Sequence, residues 1–318
     1  MSVTIFSPAK INLFLAVTGR RSDGFHDLVS LAAPLDFGDD LTASVVERRN
    51  GQRFHLNCDD PAIPRDTSNL VMKAALAFAD ATGWPDSAGR QAVQFQLTKR
   101  IPMGAGLGGG SSNAVAALRA MNALSGSRLT LEKLAALAAG IGSDCALFLH
   151  DTPVVIRGRG ERVESLPAGA VDRLRGRKVL LFKPSFGIST PWAYRKMAAE
   201  APTHYLPESQ AKRRLSDWIA GGDSVAGLLF NNMEGVAFRK FVALPVMLGK
   251  LKAELGVEAR MSGSGSTCFA LADEAGSVST RGAPTGAEDG KPDLVTQMKH
   301  LIRQGWGEAA FVQEASLA

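Results

Sequence analysis

The stretch Pro102-Met-Gly-Ala-Gly-Leu-Gly-Gly-Gly-Ser-Ser-Asn113 is the feature on which the interpretation of this sequence depends. It contains five glycines and two serines, and a helical pattern of apolar residues begins where it ends. Because glycine has no Cβ, the backbone N–H groups of such a loop can turn inward and approach an anion closely. The following helix adds N–H groups without intrahelical partners and the positive end of its dipole. The stretch therefore predicts a phosphate-binding loop.

This loop differs from two common phosphate-binding motifs. No Lys-Ser or Lys-Thr pair closes it, as happens in a Walker A loop. No acidic residue is suitably placed after a following strand, as a dinucleotide-binding fingerprint requires. We therefore expect a phosphate loop of a third kind.

The composition is that of an ordinary globular protein. The chain has 318 residues, of which 45% are hydrophobic and 21% charged, enough for one large domain or two ordinary ones. The net charge of +5 comes from scattered lysines and arginines, which fits a small anionic substrate at least as well as nucleic acid. The sequence has no RNA-reading aromatic motif, no membrane-spanning apolar run and no signal-peptide pattern. We expect a small-molecule substrate without a nucleic-acid or membrane partner, and nothing in the sequence indicates an oligomeric partner.

The three cysteines, Cys58, Cys145 and Cys268, lie far apart in the sequence. Their odd number and wide spacing favour neither a disulfide framework nor a Cys-x-x-Cys metal site. Such cysteines are typical of a reducing compartment, so we expect a cytoplasmic protein.

The N-terminal part predicts a strand followed by a hairpin. After Pro8 the pattern alternates, so that Lys10 and Asn12 fall on one face, roughly 7 Å apart along the strand. Asp23-Gly24 is a strong turn signal. The chain then returns and brings His26 just past the hairpin end, near the same region.

Helices and strands interleave along the rest of the chain. The patterns predict helices that begin at 67–69 and run to 81, that follow the glycine loop and end at Gly126, that run from Thr130 to Gly140, and that cover most of 215–255. They predict strands over 93–97, 154–156, 179–182 and 268–271. Ser143 is predicted as the N-cap of a short helix over 144–149. Residues 273–291 are polar and predict a long loop. Because hairpin signals accompany the interleaving, we expect the α+β class.

Four loci combine in a way that is hard to attribute to structure alone: Lys10 with Asn12, the glycine loop, Asp144, and a second glycine loop at Ser262-Gly-Ser-Gly-Ser-Thr267. Together they resemble the GHMP kinases, small-molecule kinases named after galactokinase, homoserine kinase, mevalonate kinase and phosphomevalonate kinase. The three motifs of the family are matched in order by Ser7-Pro-Ala-Lys-Ile-Asn-Leu13, by Pro102 to Ser112 with one added glycine, and by Ser262 to Gly265. The resemblance covers nearly the whole chain.

This resemblance implies a two-domain α+β fold. It implies an N-terminal ATP-binding domain over 1–170, similar to ribosomal protein S5, and a C-terminal ferredoxin-like α/β sandwich over 171–318. The active site is expected in the cleft between these domains. The implied activity is transfer of a phosphoryl group from ATP, with Mg²⁺, to an alcohol.

One branch of the family is matched more closely, by Gly19-Arg-Arg-Ser-Asp-Gly-Phe-His26 together with Ala9 to Leu15 and Gly142 to Asp144. The resemblance implies an acceptor alcohol that carries a cytidine diphosphate group and is phosphorylated on its 2-hydroxyl, in isoprenoid precursor synthesis. Two alternatives stay open: another GHMP kinase of the homoserine or mevalonate type, and a non-catalytic nucleotide- or RNA-binding module.

Phosphoryl transfer needs neutralised charge, in-line placement and an acceptor for the proton of the attacking hydroxyl. By the resemblance, Asp144 is the catalytic proton acceptor, and Lys10 orients it and offsets developing negative charge. Ser111 or Ser112 is a candidate Mg²⁺ ligand, and no other metal ligand is predicted. The residues expected to bind ATP are Asn69, Lys99, Pro102, Met103, Gly104, Ala105, Gly106, Leu107, Gly108, Gly109, Gly110, Ser111 and Ser112.

Recognition of the cytosine base is expected from His26, whose ring nitrogen can satisfy the edge of the base. Phe25 and Tyr194 match aromatic positions around that base in the family. Phe25 is a departure, because tyrosine is commoner there; stacking survives, but a hydroxyl contact is lost. The residues expected to bind substrate are Asn12, Phe25, His26, Tyr194, Gly263 and Gly265. The second glycine loop is expected either to cover the substrate phosphates or to support the first loop.

Overall fold

The computed structural model describes residues 1–48, 51–86, 89–221, 224–272 and 292–318; the polar loop predicted over 273–291 lies outside these ranges. The strands are β1 (Ser2–Arg20), β2 (His26–Glu47), β3 (Phe54–Cys58), β4 (Gln91–Thr98), β5 (Val154–Gly158), β6 (Arg162–Ser165), β7 (Lys178–Lys183), β8 (Phe230–Asn231), β9 (Ala259–Met261), β10 (Cys268–Leu271) and β11 (Phe311–Ser316). The helices are α1 (Leu70–Thr82), α2 (Gly109–Leu124), α3 (Leu131–Ile141), α4 (Ala168–Asp172), α5 (Thr190–Ala199), α6 (Glu208–Ile219), α7 (Val225–Leu228), α8 (Glu234–Lys240), α9 (Ala243–Leu255) and α10 (Leu294–Trp306). A 3-10 helix covers Ala146–Leu149.

Two compact units are built from interleaved parts of the sequence. The first unit contains Met1–Lys10, Pro34–Met103 and Leu107–Ser165, and the second contains Ile11–Ala33, Gly104–Gly106 and Leu166–Ala318. The long strands β1 and β2 therefore contribute residues to both units. Helices alternate with mostly antiparallel strands, which confirms the predicted α+β class. The predicted division of the sequence into 1–170 and 171–318 stays a prediction.

The first unit combines a sheet with three helices. Strand β4 lies antiparallel to β2, from Asp40↔Thr98 to Glu47↔Gln91, and β3 lies parallel to β4. Helices α1 and α2 pack against each other through faces rich in alanine, which lets their backbones approach closely. The caps explain where two helices begin: the Asn69 side chain accepts from the N–H of Val71, and the Thr130 side chain accepts from the N–H of Lys133. Both predicted helix starts are confirmed.

The second unit contains a four-stranded antiparallel sheet in the order β11-β7-β10-β9. Its register pairs Cys268 with Phe182 and Leu271 with Val179, so both strands predicted in this part of the chain are confirmed. Buried residues of α9 and α10, among them Leu251 and Ile302, add to the core. The helical region predicted over 215–255 is confirmed, although β8 interrupts it and pairs in parallel with β1.

Two local predictions near the N-terminus and near Asp144 are changed by the structure. Strand β1 is buried on both faces from Ala9 to Val17, so its alternating pattern does not separate a core face from a solvent face. The prediction that Ser143 caps a helix over 144–149 is wrong. The 3-10 helix begins only at Ala146, after Cys145, and no side chain caps it. None of the helices in the described ranges has the length and apolar character needed to cross a membrane.

Candidate active site

The start of α2 follows the glycine loop in the first unit. Gly108 is the N-cap, with φ of 72°, and no side chain caps the helix. The N–H groups of the first turn have no intrahelical acceptors. Together with the helix dipole, they make this end of α2 attractive to a phosphate. A Cβ at position 108 would lie 2.7 Å from Phe148 and 3.2 Å from the side chain of Lys10, so only glycine fits between these groups.

A buried polar network lies beneath the start of α2. The Asp39 carboxylate is fully buried and accepts from the backbone N–H groups of Arg100 and Ile101 at 2.7 and 2.8 Å. It also pairs with the ammonium group of Lys99 and accepts from the Asn113 amide at 2.9 Å. The network holds the chain on both sides of the glycine loop, because Lys99 precedes the loop and Asn113 follows it.

The two loop serines differ in their surroundings. Ser112 is buried, and its hydroxyl accepts from Ser7 at 2.8 Å; the Asn113 amide donates to the same Ser7 hydroxyl. Ser111 is half-buried and lies beside Cys145. Burial raises the pKa of the Cys145 thiol to about 11, and a hydrogen bond with Ser111 acts in the opposite direction. Ser112 therefore belongs to the buried network, whereas Ser111 lies next to the residue that follows Asp144.

Lys10 and Asp144, the two residues predicted as catalytic from the resemblance, interact electrostatically in the first unit; their catalytic role stays a prediction. Lys10 is 3% exposed, and its backbone N–H donates to Leu107 O at 3.0 Å, which ties β1 to the glycine loop. Burial lowers the pKa of Lys10, and the negative charge of Asp144 opposes this shift. The two side chains are therefore close enough for the carboxylate to stabilise the ammonium group.

A tight turn presents Asp144. The N–H of Cys145 donates to Gly142 O at 3.0 Å, so Asp144 lies in a turn before the 3-10 helix. Gly160, in the connection between β5 and β6, packs on this turn: a Cβ there would lie 2.8 Å from Ser143 O. The φ of Gly160 is +122°, which non-glycine residues rarely adopt. The β5–β6 connection thus supports the turn that holds the carboxylate.

In the second unit, residues Gly104–Gly106 of the first glycine loop contact the second glycine loop directly. The N–H of Thr267 donates to Ala105 O at 3.1 Å, and the Ser262 hydroxyl donates to Gly106 O at 3.1 Å. A Cβ on Gly106 would overlap with Ser262 O. Of the two functions expected for the second loop, these contacts favour support of the first loop. The assignment of Gly263 and Gly265 to the substrate stays a prediction.

The Ser262 hydroxyl also connects the first glycine loop to β1. It accepts from the backbone N–H of Asn12 at 3.3 Å while it donates to Gly106. The Asn12 side chain is buried and donates to the Ser30 hydroxyl at 2.8 Å, and Ser30 in turn donates to Phe14 O at 2.7 Å. Part of the Asn12 amide therefore stabilises the hairpin of β1 and β2.

His26 lies in an aromatic cluster in the second unit. Its ring centroid is 4.9 Å from that of Tyr194 and 5.9 Å from that of Tyr205. Burial lowers the pKa of His26, and the positive charge of Arg20 lowers it further. The structure thus brings His26 and Tyr194 together, whereas Phe25 is 50% exposed at the adjacent turn. Tyr205 was not predicted from the sequence, although a signal existed: the chain has two tyrosines, and both lie against this histidine.

The remaining predicted ATP residues occupy varied environments. Both ends of the Asn69 amide are engaged, because its oxygen caps α1 and its nitrogen donates to Pro64 O at 2.7 Å. Met103 is 60% exposed, whereas Ala105 and Leu107 bury their side chains and can offer a ligand only backbone groups. A Cβ on Gly110 would lie 3.7 Å from the side chain of Leu70 at the start of α1, so Asn69 lies near the start of α2. Pro102 and Gly109 belong to the same loop, and a Cβ on Gly109 would lie 3.0 Å from Ile101.

Carboxylate, histidine and cysteine side chains do not form a cluster of three or more that could hold a metal ion within the described ranges. The Asp144 carboxylate interacts with Lys10, and the Ser111 hydroxyl makes a hydrogen bond with Cys145, the residue that follows Asp144. Such hard oxygen ligands suit Mg²⁺, which typically binds one or two protein oxygens together with substrate phosphates and water.

Comparisons with known proteins agree on one family. The GHMP kinases N terminal domain matches residues 69–157, and the GHMP kinases C terminal domain matches residues 216–280. A 4-diphosphocytidyl-2-C-methyl-D-erythritol kinase of Methylacidiphilum infernorum is 36% identical over 270 residues, which are 85% of this chain and 86% of that protein. A crystal structure of 4-(cytidine 5'-diphospho)-2C-methyl-D-erythritol kinase has a TM-score of 0.72 and 32% identity, and covers 99% of this chain and 100% of its own.

A more distant solved structure bears on the homoserine-type alternative. The crystal structure of homoserine kinase from Cytophaga hutchinsonii has a TM-score of 0.70 and covers 99% of this chain and 95% of its own. Its sequence identity is 18%, so it shows a shared fold alone.

Proposed function

Because the chain belongs to the GHMP kinase family and, within it, to the 4-diphosphocytidyl-2-C-methyl-D-erythritol kinases, we propose that it transfers the γ-phosphoryl group of ATP to the 2-hydroxyl of 4-diphosphocytidyl-2-C-methyl-D-erythritol. The observation that carries the proposal is that Lys10, whose side chain lies beside Gly108 at the start of α2, interacts electrostatically with Asp144. A phosphate site, a cation and a carboxylate are the groups that this reaction needs.

ATP binds through the glycine loop in this proposal. The free N–H groups at the start of α2 hold its phosphates, and Gly108 lets the chain turn close to them. Lys99 and Ser112 act by bracing the loop from the buried network. Asn69, the N-cap of α1, and the exposed Met103 contact the nucleotide in this proposal.

Mg²⁺ would be held by the Ser111 hydroxyl. Ser111 fits better than Ser112, because the Ser112 hydroxyl is buried and already accepts from Ser7. When bound, Mg²⁺ neutralises charge on the transferring phosphoryl group. Lys10 adds a second positive charge on the protein side.

Asp144 accepts the proton of the attacking hydroxyl. The turn supported by Gly160 fixes the carboxylate, and Lys10 orients it while offsetting negative charge that develops on the phosphoryl oxygens. In a loose transition state the proton leaves late, so an ionised carboxylate is a sufficient base.

The cytidine end is recognised by His26, with Tyr194 and the exposed Phe25 as stacking partners. Asn12 contacts the substrate, and Gly263 and Gly265 contribute from the second glycine loop, where the Gly265 backbone lies next to Gly106. The stacking rings tolerate any base, so His26 provides the selection for cytosine.

The proposal is tested by a kinase assay with ATP, Mg²⁺ and a panel of acceptors: the cytidylyl substrate, homoserine and mevalonate. We expect turnover of the cytidylyl substrate alone. Turnover of homoserine or mevalonate in its place would establish a GHMP kinase of the homoserine or mevalonate type. RNA binding that falls steeply with salt, without turnover of any acceptor, would establish a non-catalytic RNA-binding module.

Two variants connect the activity to the residues. Asp144→Ala is expected to abolish nearly all turnover while ATP binding stays measurable, and Asp151→Ala, which changes an exposed carboxylate in the same unit, is the control. His26→Ala is expected to raise the KM for the acceptor more than the KM for ATP. Normal turnover in Asp144→Ala would contradict the mechanism.

A further inference from the structure

Tyr205 makes a hydrogen bond to the residue that reads the base in the proposed function. Its hydroxyl oxygen lies 3.0 Å from Nε2 of His26, and the two rings meet edge to face. The tyrosine is half-buried in the connection between α5 and α6. Two hydrogen bonds fix its backbone: its own N–H donates to Pro202 O, and the N–H of the next residue, Leu206, donates to Val17 O in β1.

The bond to Tyr205 decides which ring nitrogen of His26 can meet a ligand. A neutral imidazole has one nitrogen that donates and one that accepts. With Nε2 engaged by the tyrosine, a ligand meets Nδ1. Tyr194 packs on the same ring with an interplanar angle of 34°, so rotation of the imidazole about χ2 is restricted from two sides.

Pyrimidine bases differ at the edge that a histidine would read. Cytosine carries an amino donor at its 4-position, where uracil carries a carbonyl acceptor. When Nε2 carries the proton and donates it to the Tyr205 hydroxyl oxygen, Nδ1 is an acceptor that matches the amino group of cytosine and not the carbonyl of uracil. A histidine that can rotate or exchange its tautomer accommodates both bases.

We propose that Tyr205 is a positioning residue that fixes the His26 ring with Nδ1 toward the substrate and so makes the site selective for cytidine over uridine. The proposal rests on the proposed function, because it concerns the base of that substrate. Tyr205 acts through His26 and is not itself a catalytic residue.

Steady-state kinetics of Tyr205→Phe test the selectivity. The variant keeps the ring and loses the hydroxyl. We expect the KM for the cytidylyl substrate to rise about fivefold, as for loss of one hydrogen bond, with kcat and the KM for ATP within about twofold. The ratio of kcat/KM for the cytidylyl substrate to that for its uridylyl analogue should fall by a similar factor. Thr203→Val, which removes an exposed hydroxyl from the same connection, should leave this ratio unchanged.

NMR of the ligand-free protein tests the hydrogen bond independently of activity. With ¹⁵N-labelled histidine, His26 is assigned among the five histidines by its absence in His26→Gln. We expect one dominant tautomer in the wild type and a changed Nε2 shift in Tyr205→Phe, with melting temperatures that confirm folding.

Unchanged His26 shifts in Tyr205→Phe would overturn the proposal whatever the kinetics show. Changed shifts with an unchanged cytidine-to-uridine ratio would overturn the claim of selectivity alone. Changed shifts in a protein that does not phosphorylate the cytidylyl substrate would instead overturn the proposed function, and with it the role of Tyr205 in reading the base.

Discussion

Gly106 is the position at which one methyl group should separate the two glycine loops. Its φ is +77°, and a Cβ there would overlap with Ser262 O and lie 3.1 Å from both N and O of Gly265. All three neighbours are backbone atoms, so no change of rotamer can relieve the overlap. Gly106→Ala must therefore move the backbone.

The size of the effect follows from these contacts. A left-handed conformation costs an L-residue roughly 1–2 kcal/mol. Restoring an ordinary carbon–oxygen contact requires a displacement of about 1 Å, which would break the hydrogen bonds from Ser262 to Gly106 and from Thr267 to Ala105. Each bond contributes about 1 kcal/mol. We expect the free energy of unfolding to fall by about 3–4 kcal/mol.

The same displacement should reduce activity, because it moves the loop proposed to hold the ATP phosphates. A misplacement of about 1 Å can lower the rate of a positioned reaction by roughly 100-fold. We therefore expect kcat to fall about 100-fold and the KM for ATP to rise.

Gly104→Ala is the matched control. Gly104 belongs to the same loop and also has a positive φ, of +62°, but a Cβ there would meet no atom within 4 Å. It should show the backbone strain of roughly 1 kcal/mol without the displacement. Urea unfolding and steady-state kinetics on both variants measure the difference. If the two variants lose equal stability and activity, contact between the loops is not what positions the phosphate loop.

Three further predictions concern buried groups around the candidate site. Asp39→Asn removes the charge that pairs with the buried Lys99 and should lower the free energy of unfolding in urea by about 3–5 kcal/mol. Asp40→Asn, which changes a more exposed ion pair, should lower it by less than about 1 kcal/mol. Equal losses in the two variants would show that the buried network around Asp39 is not a strong constraint. Burial raises the pKa of Glu234 to about 7, so the stability contributed by its protonated carboxyl group is fully present below pH 4.5 and is lost as the pH rises through 7. Glu234→Gln should therefore unfold at a higher temperature than the wild type at pH 8 and at a similar temperature at pH 4.5. A difference in unfolding temperature that does not depend on pH would contradict this titration. Gly160→Ala should lower kcat about tenfold or more with little change in the KM for ATP, because it displaces the turn that holds Asp144; a normal kcat would mean that the turn tolerates the shift.

The sequence predicted most of the fold because its boundary signals are local. Asn69 and Thr130 cap the helices they were expected to begin, since a side-chain oxygen satisfies N–H groups of the first turn wherever the helix lies. Strand β8 was missed, because two residues have no detectable periodicity and its pairing with β1 depends on contacts more than 200 residues apart. Ser143 was misassigned because serine is favoured in turns as well as at caps.

Residues of the candidate site were predictable where glycines or charged residues form a recognisable sequence pattern. They were less predictable where the role of a residue depends on the residues around it in the fold. The interaction of Lys10 with Asp144 agrees with the resemblance. Tyr205 was not selected, because a tyrosine in a connecting segment is an ordinary residue until its distance to His26 is known. The contact between the two glycine loops was left open for the same reason, because a glycine-rich sequence does not specify which part of the backbone it will contact.

Two lysines outside the glycine loop, Lys99 and Lys10, each interact with a carboxylate, and these carboxylates determine how much positive charge is available near the loop. Lys99 lies nearest in sequence to the loop, but the buried Asp39 carboxylate neutralises it, so together they contribute little net field to a nucleotide. Lys10 faces Asp144, whose charge is the one the proposed chemistry consumes when it accepts a proton. Once that proton has moved, Asp144 no longer balances Lys10, and the charge of Lys10 is available to offset negative charge on the phosphoryl oxygens. In the proposed function, attraction for ATP before that step rests on the backbone N–H groups at the start of α2, a role that a loop of glycines and serines can fill without a lysine inside it.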